Sequence, residues 1–209
     1  MKLYDLAGPP SPRRIRIYLA EKGIDIEIVP VNIREGEHLK PEFLAINSRA
    51  TIPALEMDNG TVISESDAIL RYLEEKFPEN PLFGETAEER AVVNNWLHIV
   101  EADGFLAVAE AVRNSAPRLA GRAITGQHNV EQIPALAERG IARIGYFFDE
   151  LDKCLEGQSY VAGDKFTVAD ISTLVAVDFA GMAKQTIPEH CKNVARWHAD
   201  VSARPSASA

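Results

Sequence analysis

Two cysteines in 209 residues, Cys154 and Cys191, leave no material for a disulfide framework. They stand 37 positions apart in helical contexts, and neither belongs to a Cys-x-x-Cys pair. The spacing therefore offers neither a zinc site nor a redox dithiol, and both read as ordinary buried thiols. No apolar run approaches the roughly 20 residues that span a bilayer. The opening Met1-Lys2-Leu3-Tyr4-Asp5-Leu6 carries no signal-peptide h-region, so the expected location is the cytoplasm and a membrane partner is not expected. A basic face is also missing. Net charge is −9, and it is spread evenly: residues 1–80 hold 10 basic and 14 acidic side chains (−4), residues 81–209 hold 12 and 17 (−5). That balance argues against nucleic acid as the partner. The chain has no internal repeat and no low-complexity segment.

The order of elements along the chain is more telling. Residues 2–6 and 26–31 alternate or run apolar and read as strands. Between them Pro12 to Gly23 carries Ile15, Ile17, Tyr18 and Leu19 and closes on Lys22-Gly23, a helix with a glycine stop. A short helix follows over Pro41 to Asn47. Residues 54–57 and 61–64 flank Asp58-Asn59-Gly60 and predict an antiparallel hairpin. Ser64 then opens a helix to Phe77, which Pro78 stops. The order βαβ-α-ββα is that of a thioredoxin-like α/β domain, here residues 1–77. Residues 78–85, with two prolines, an asparagine and a glycine, read as a linker. From there to the end, 86–209, no strand pattern appears and an all-α helical domain is expected. Thr86 to Arg113 is one long helix with Val93, Trp96, Val100, Ala107 and Ala111 at helical spacing. Asn114 to Pro134 is polar and glycine-bearing, a mobile connection. Ala135 to Leu155 sets Ile141, Ile144, Phe148, Leu151 and Leu155 on one face, and Thr167 to Met182 and Pro188 to Val201 are further helices.

Four local patterns stand out. Ile52-Pro53 sits just before the hairpin, where proline gives up its N–H. Ser64-Glu65-Ser66-Asp67 precedes Ala68-Ile69-Leu70, an acidic helix start; free N–H groups at such a start bind anions, and Ser64 with acids in the first turn is also plain capping chemistry. Ser11 precedes Pro12, and proline favours the first helical position, which predicts Ser11 as an N-cap. Phe166-Thr167-Val168-Ala169-Asp170 has the form of a capping box, with Asp170 reaching back to the Thr167 N–H, a folding element without chemistry. Gly104, inside a predicted helix, costs roughly 1 kcal/mol and points to close packing or a bend.

These residues resemble the cytosolic glutathione S-transferase family, over nearly the whole chain. The carriers are Asn47-Ser48-Arg49-Ala50-Thr51-Ile52-Pro53-Ala54-Leu55, the Asp58-Asn59-Gly60 turn, the Glu65-Ser66 pair, Thr167 to Asp170, and Gly36-Glu37-His38-Leu39-Lys40-Pro41-Glu42-Phe43-Leu44. The last is similar to bacterial theta- and delta-like members; beta-class relatives carry a cysteine where this chain has Pro10. The resemblance implies a cis Ile52-Pro53 bond, with the Thr51-Ile52 backbone free to pair with the cysteinyl unit of glutathione as in strand addition. It implies Ser66 for the γ-glutamyl carboxylate, Glu65 for its ammonium, and His38 and Lys40 for the glycyl carboxylate. A histidine common in relatives is replaced by Ala50, and Arg49 stands beside it. Asp103 is implied as a reach across to the ligand of a neighbouring subunit, in a homodimer. For the catalytic hydroxyl the resemblance suggests Ser11, although Gly8-Pro9-Pro10-Ser11-Pro12 departs from the family pattern, and Tyr4 is the alternative. An electrophile pocket is expected between the domains, with Phe105, Val108 and Val112 as its walls.

The implied activity is detoxification chemistry: a glutathione thiolate conjugated to small hydrophobic electrophiles. Free thiols have a pKa of about 8.5, so activation needs a hydrogen bond to sulfur near a helix N-terminus. Glutathione is the co-substrate, and no metal is expected. A glutathione-dependent peroxidase or disulfide reductase is a second reading, weakened by the lack of a cysteine near residue 10. A non-catalytic glutathione-binding protein of the same fold is the third.

Overall fold

The computed structural model describes residues 1–209, which divide into two compact units. The first holds Met1–Asn80 together with Thr125–His128 and Ala209; the second holds Pro81–Ile124 and Asn129–Ser208.

In the first unit β1 (Lys2–Asp5), β2 (Glu27–Pro30), β3 (Ala54–Glu56) and β4 (Val62–Ser64) form one sheet in the order β2-β1-β3-β4. β1 and β2 are parallel, joined through α1 (Pro10–Lys22); β3 lies antiparallel to both β1 and β4. Alternation along β1 sends Leu3 and Tyr4 to opposite faces. Leu3 pairs with Leu55, both fully buried; Tyr4 pairs with Ala54 and packs with Val31 and with Phe43 of α2 (Pro41–Leu44). The glycine stop of α1 forms as expected: Gly23 takes φ 64°, its N–H meets the Ala20 and Leu19 carbonyls, and the Ile24 N–H returns to Leu19 at 2.9 Å. The hairpin closes through the Met57 N–H on the Thr61 carbonyl at 2.8 Å, with Gly60 at φ 81°.

One boundary needs correction. Ser64 is the last residue of β4, and α3 runs Ser66–Lys76 with Glu65 as its N-cap residue. Glu65 turns the chain at φ 73°, a conformation that costs a side-chain-bearing residue energy and that sequence periodicity does not reveal.

In the second unit, helix runs unbroken over the stretch predicted as one long helix, but in three parts: α4 (Ala87–Ile99), a π-helical turn (Val100–Phe105), and α5 (Leu106–Ser115). Thr86 and Glu89 cap α4 reciprocally, the Glu89 N–H donating to Thr86 Oγ1 at 3.1 Å. Gly104 lies inside the π turn, and a Cβ there would stand 3.2 Å from both Ala176 Cβ and the Phe147 ring. Close packing is therefore its reason. α6 (Pro134–Cys154) crosses α5 through Gly140, where a Cβ would meet the Ala111 main-chain nitrogen at 2.6 Å. α7 (Val168–Ala180) is buried along most of its length, and α8 (Lys192–Ser202) closes the unit with Trp197 fully enclosed.

The segment after α5 is tied down rather than free. The Arg113 guanidinium donates to the carbonyls of Arg122 (2.7 Å), Ala123 (3.2 Å) and Ile124. Buried Asn114 accepts from the Ile133 N–H at 3.0 Å. The low hydrophobicity that suggested mobility hides a set of main-chain anchors.

Candidate functional site

Three segments of the first unit converge. The start of α1 and the start of α3 are joined by Ser66 Oγ, which donates to the Ser11 carbonyl at 3.2 Å. The turn before β3 is joined to α3 by the Arg49 Nε to Glu65 Oε1 pair at 3.0 Å, both side chains well exposed. The Ile52-Pro53 bond between them is cis, as expected from the resemblance. The β1–β3 ladder begins only at Ala54, so the main chain of Ile52 lies outside it.

The turn itself is built by a residue the sequence reading passed over. Asn47 is buried; its Oδ1 accepts from the Arg49 N–H at 3.1 Å, and its Nδ2 donates to the Thr51 carbonyl at 2.8 Å. The Ala50 N–H meets the Asn47 carbonyl at 3.0 Å, and Ala50 takes φ 54°. The Asn-Ser dipeptide ahead of a proline was the available signal. Residues 125–128 also reach this turn: Gln127 donates to the Ser48 carbonyl.

The helix starts differ from their predicted capping. α1 begins at Pro10 with Pro9 as N-cap residue, so Ser11 sits inside the first turn and does not cap. Proline tolerates both positions because the first N–H groups of a helix lack internal acceptors. Pro10 and Pro12 have no N–H at all, which leaves those of Ser11 and Arg13 as the donors of the first turn. At α3 no side chain caps the terminus, and Ser66 is buried.

The nearby arginines are paired. Arg16 Nη1 bridges both Asp5 carboxylate oxygens at 2.9 and 3.0 Å. Buried Arg14 stands 3.6 Å from Asp67, the acid that follows the Glu65-Ser66 pair. Tyr4 does not present its hydroxyl to this region. The ring packs edge-on against Phe43, the phenol donates to Glu56 at 2.7 Å, and burial, then the Glu56 carboxylate, push its pKa up to about 12.

His38 is buried in a one-turn 3-10 helix, Glu37–Leu39, and Lys40 is the exposed residue that precedes α2. Lys40 lines a groove of about 420 Å³ with Tyr4, Val31 and Phe43, on the α2 face of the sheet.

In the second unit Asp103 is engaged within its own chain: Arg143 donates to it at 3.2 Å and to the Ala102 carbonyl. Phe105, Val108 and Val112, expected as pocket walls, are 4%, 1% and 5% exposed. Phe105 packs on Phe179 with ring centres 6.2 Å apart, inside this unit. The apolar stripe of α5 that suggested a wall is the stripe that the unit buries for its own core. Both thiols are pushed up to about 11, chiefly by burial, and are poor nucleophiles at neutral pH.

Comparison with known proteins adds a second line. A model of the glutathione S-transferase N-terminal domain matches residues 10–76, and one of the C-terminal domain matches residues 131–209. Among curated proteins, glutathione S-transferase 2 of Saccharomyces cerevisiae is 34% identical over 99% of this chain and 87% of its own. Glutathione S-transferase D7 of Drosophila melanogaster is 33% identical over 94% and 82%. Among solved structures, a glutathione S-transferase domain-containing protein of Marinobacter aquaeolei superposes with a TM-score of 0.91 at 36% identity, covering 99% of both chains. A glutathione S-transferase of class Gtt2 from Vibrio parahaemolyticus gives 0.83 at 38% identity, covering 99% of this chain and 95% of that one.

Proposed function

The chain belongs to the glutathione S-transferase family, and from that premise we propose that it conjugates the thiolate of glutathione to small hydrophobic electrophiles. The observation that carries the proposal is the meeting of three segments, at Ser11, Arg49 to Pro53, and Glu65-Ser66, around a helix start that no side chain caps. An extended tripeptide fits such a place. Its cysteinyl unit pairs with the main chain at Thr51 and Ile52, beside Pro53. Its γ-glutamyl carboxylate goes to the N–H groups at the start of α3, where the helix dipole favours an anion, and to the Ser66 hydroxyl, in exchange for the Ser11 carbonyl. Its ammonium goes to Glu65, in exchange for Arg49. His38 and Lys40 are assigned to the glycyl end, and Asp103, released from Arg143, to the ligand of a second copy in a homodimer.

On this reading the thiol lies at the start of α1. The Ser11 hydroxyl, not spent on capping, donates to the sulfur, with the Ser11 N–H as a second donor in the same turn. A hydrogen bond to a charged group is worth about 1.5–3 kcal/mol, so one such bond lowers the thiol pKa by about one to two units. The bound thiolate then attacks the electrophilic carbon, and the leaving group departs with the electron pair of its bond. The protein supplies a nucleophile already ionised and held at short range.

The test is the pH titration of thiolate absorbance for bound glutathione, run beside turnover of a chlorinated nitrobenzene and of a hydroperoxide. The expected thiol pKa lies well below about 8.5, nitrobenzene turnover exceeds hydroperoxide turnover, and Ser11→Ala loses about 10- to 100-fold in kcat/KM. A bound pKa equal to the free value favours a binding protein instead. Unchanged turnover in Ser11→Ala removes the hydroxyl from the mechanism.

A further inference from the structure

A cluster in the second unit has no part in glutathione chemistry. The turn before α8 brings His190 and Cys191 against Asp149 of α6. His190 Nε2 lies 2.7 Å from Asp149 Oδ1, and Cys191 Sγ lies 3.9 Å from the same oxygen. All three ligand atoms fall within 4.8 Å of one another. The thiol hydrogen and, in the Nε2-protonated ring, the imidazole hydrogen both point at one carboxylate oxygen. A divalent cation that replaces those hydrogens, in the space between the three atoms, would meet one sulfur, one nitrogen and one oxygen.

The backbone holds the cluster in place independently of it. Asp152, one turn along α6, accepts from the Asn193 and Val194 N–H groups at 2.8 and 3.0 Å and from Asn193 Nδ2 at 3.1 Å, which pins the start of α8 to α6. The Cys191 N–H closes the turn on the Pro188 carbonyl at 3.0 Å. Cys191 is fully buried beneath the pair, while the His190 and Asp149 side chains are 72% and 59% exposed and face water. An ion thus has an open approach from the histidine side and a fixed sulfur at the base.

We propose that Asp149, His190 and Cys191 form a surface site for a divalent transition cation of the zinc type, remote in sequence from every residue assigned to glutathione. Thiolate and imidazole select zinc-like ions over magnesium or calcium, which take oxygen ligands. Metal bonds of about 2.0–2.3 Å in a tetrahedron set ligand separations of about 3.4–3.6 Å. The observed 2.7 and 3.9 Å straddle that range and the third separation, His190 to Cys191, lies within 4.8 Å, so the two exposed side chains need to shift by on the order of 1 Å to close on an ion. On binding, the thiol releases its proton to solvent, the imidazole carries its own on Nδ1, and water fills the fourth position.

Cobalt(II) is the probe. The full chain, stripped with a chelator, is titrated with Co²⁺ and then with Zn²⁺. The expected result is a thiolate-to-cobalt charge-transfer band that saturates at one equivalent, is displaced by zinc, persists in Cys154→Ser and is absent in Cys191→Ser. Affinity falls about tenfold or more in His190→Ala and in Asp149→Asn. Both replaced side chains lie on the surface, so folding is not at issue. No band, a band that survives Cys191→Ser, or unchanged affinity in His190→Ala and Asp149→Asn overturns the proposal. Glutathione turnover enters none of these readings, so the result stands apart from the transferase proposal.

Discussion

Replacing Asp170 by alanine tests the packing of the second unit at its most concentrated point. The carboxylate is fully buried and accepts from the Thr167 N–H (2.9 Å), Thr167 Oγ1 (3.1 Å), the Val161 N–H (2.9 Å) and Trp197 Nε1 (2.9 Å). It therefore joins the start of α7, the loop before it, and α8. The alanine variant leaves three fixed donors stranded among buried residues, since only the threonine hydroxyl can rotate to a new acceptor. Each stranded donor costs about 1–3 kcal/mol. Part of that loss is offset, because burial raises the pKa of this carboxyl and keeping the ion inside is itself unfavourable. The net expectation is a loss of about 3–5 kcal/mol, the range for breaking one side of a buried polar network. For a chain of this size that lowers the melting temperature by on the order of 10 °C. Urea unfolding followed by tryptophan fluorescence reads it directly, because one of the two tryptophans is a donor to the carboxylate. Asp170→Asn keeps the volume but turns one acceptor into a donor, and recovers only part of the loss. A loss below about 1 kcal/mol in the alanine variant, at unchanged slope, refutes the assignment of this carboxylate as the anchor.

Two glycines of α6 give opposite signs for one substitution. Gly140→Ala drives a Cβ to 2.6 Å from the Ala111 nitrogen and 2.7 Å from the Ala107 carbonyl, both main chain, and is expected to destabilise by about 1–3 kcal/mol in urea unfolding. Gly145→Ala meets nothing within 4 Å and should stabilise by up to about 1 kcal/mol; equal signs would refute the packing argument. Arg49→Ala frees Glu65 for the ammonium of glutathione. As an exposed pair is worth about 0–1 kcal/mol, calorimetry should show binding tightened by at most about fivefold; a marked weakening instead makes Arg49 a ligand contact. Asp58 is held down to about 2 by Lys76 at 2.6 Å and by the Met1 ammonium. Its contribution is present above the unfolded value of about 4 and is lost as pH falls through 2. Lys76→Met should flatten the fall in melting temperature over that window, and an unchanged acid limb counts against the pairing.

Elements with a repeating pattern were legible, and so were those ended by a residue of fixed geometry. The Gly23 stop, the Asp58-Asn59-Gly60 hairpin and the Thr167-Asp170 box rest on interactions within a few residues, and the strands show in the apolar pattern of each short segment. The π turn at Val100–Phe105 was not, because it leaves the apolar stripe of the long helix nearly in phase. Ser64 and Ser11 misled for one reason: a serine before a helical run signals a cap, yet the Glu65 backbone at φ 73° and the proline at position 10 set the true starts. Asn47 holds a local turn whose signal is weak, whereas Arg113, and Val161 and Trp197 as donors to Asp170, were invisible because their partners lie 9 to 27 positions away along the chain. The same holds for Asp149 with His190 and Cys191: a spacing rule for metal ligands looks within a motif, and these come together only when α8 docks on α6.

The charges near the α1 and α3 starts bear on what such a place can recognise. Arg16 is matched by Asp5, Arg14 by Asp67 and Arg49 by Glu65, so three cations that a count of residues would assign to positive potential are met by acids of the same unit. On the proposed reading, what would face an anionic ligand with less compensation is main chain: the first N–H groups of α3, and the Ser11 and Arg13 N–H groups between and after two prolines. Recognition through backbone depends on the path of the chain more than on side-chain identity. A family can therefore keep it while two thirds of its residues change, as they do between this chain and its relatives at 33–38% identity. For the same reason Ser11→Ala should reduce thiol activation without abolishing it, since the alanine retains the N–H that serine leaves in place.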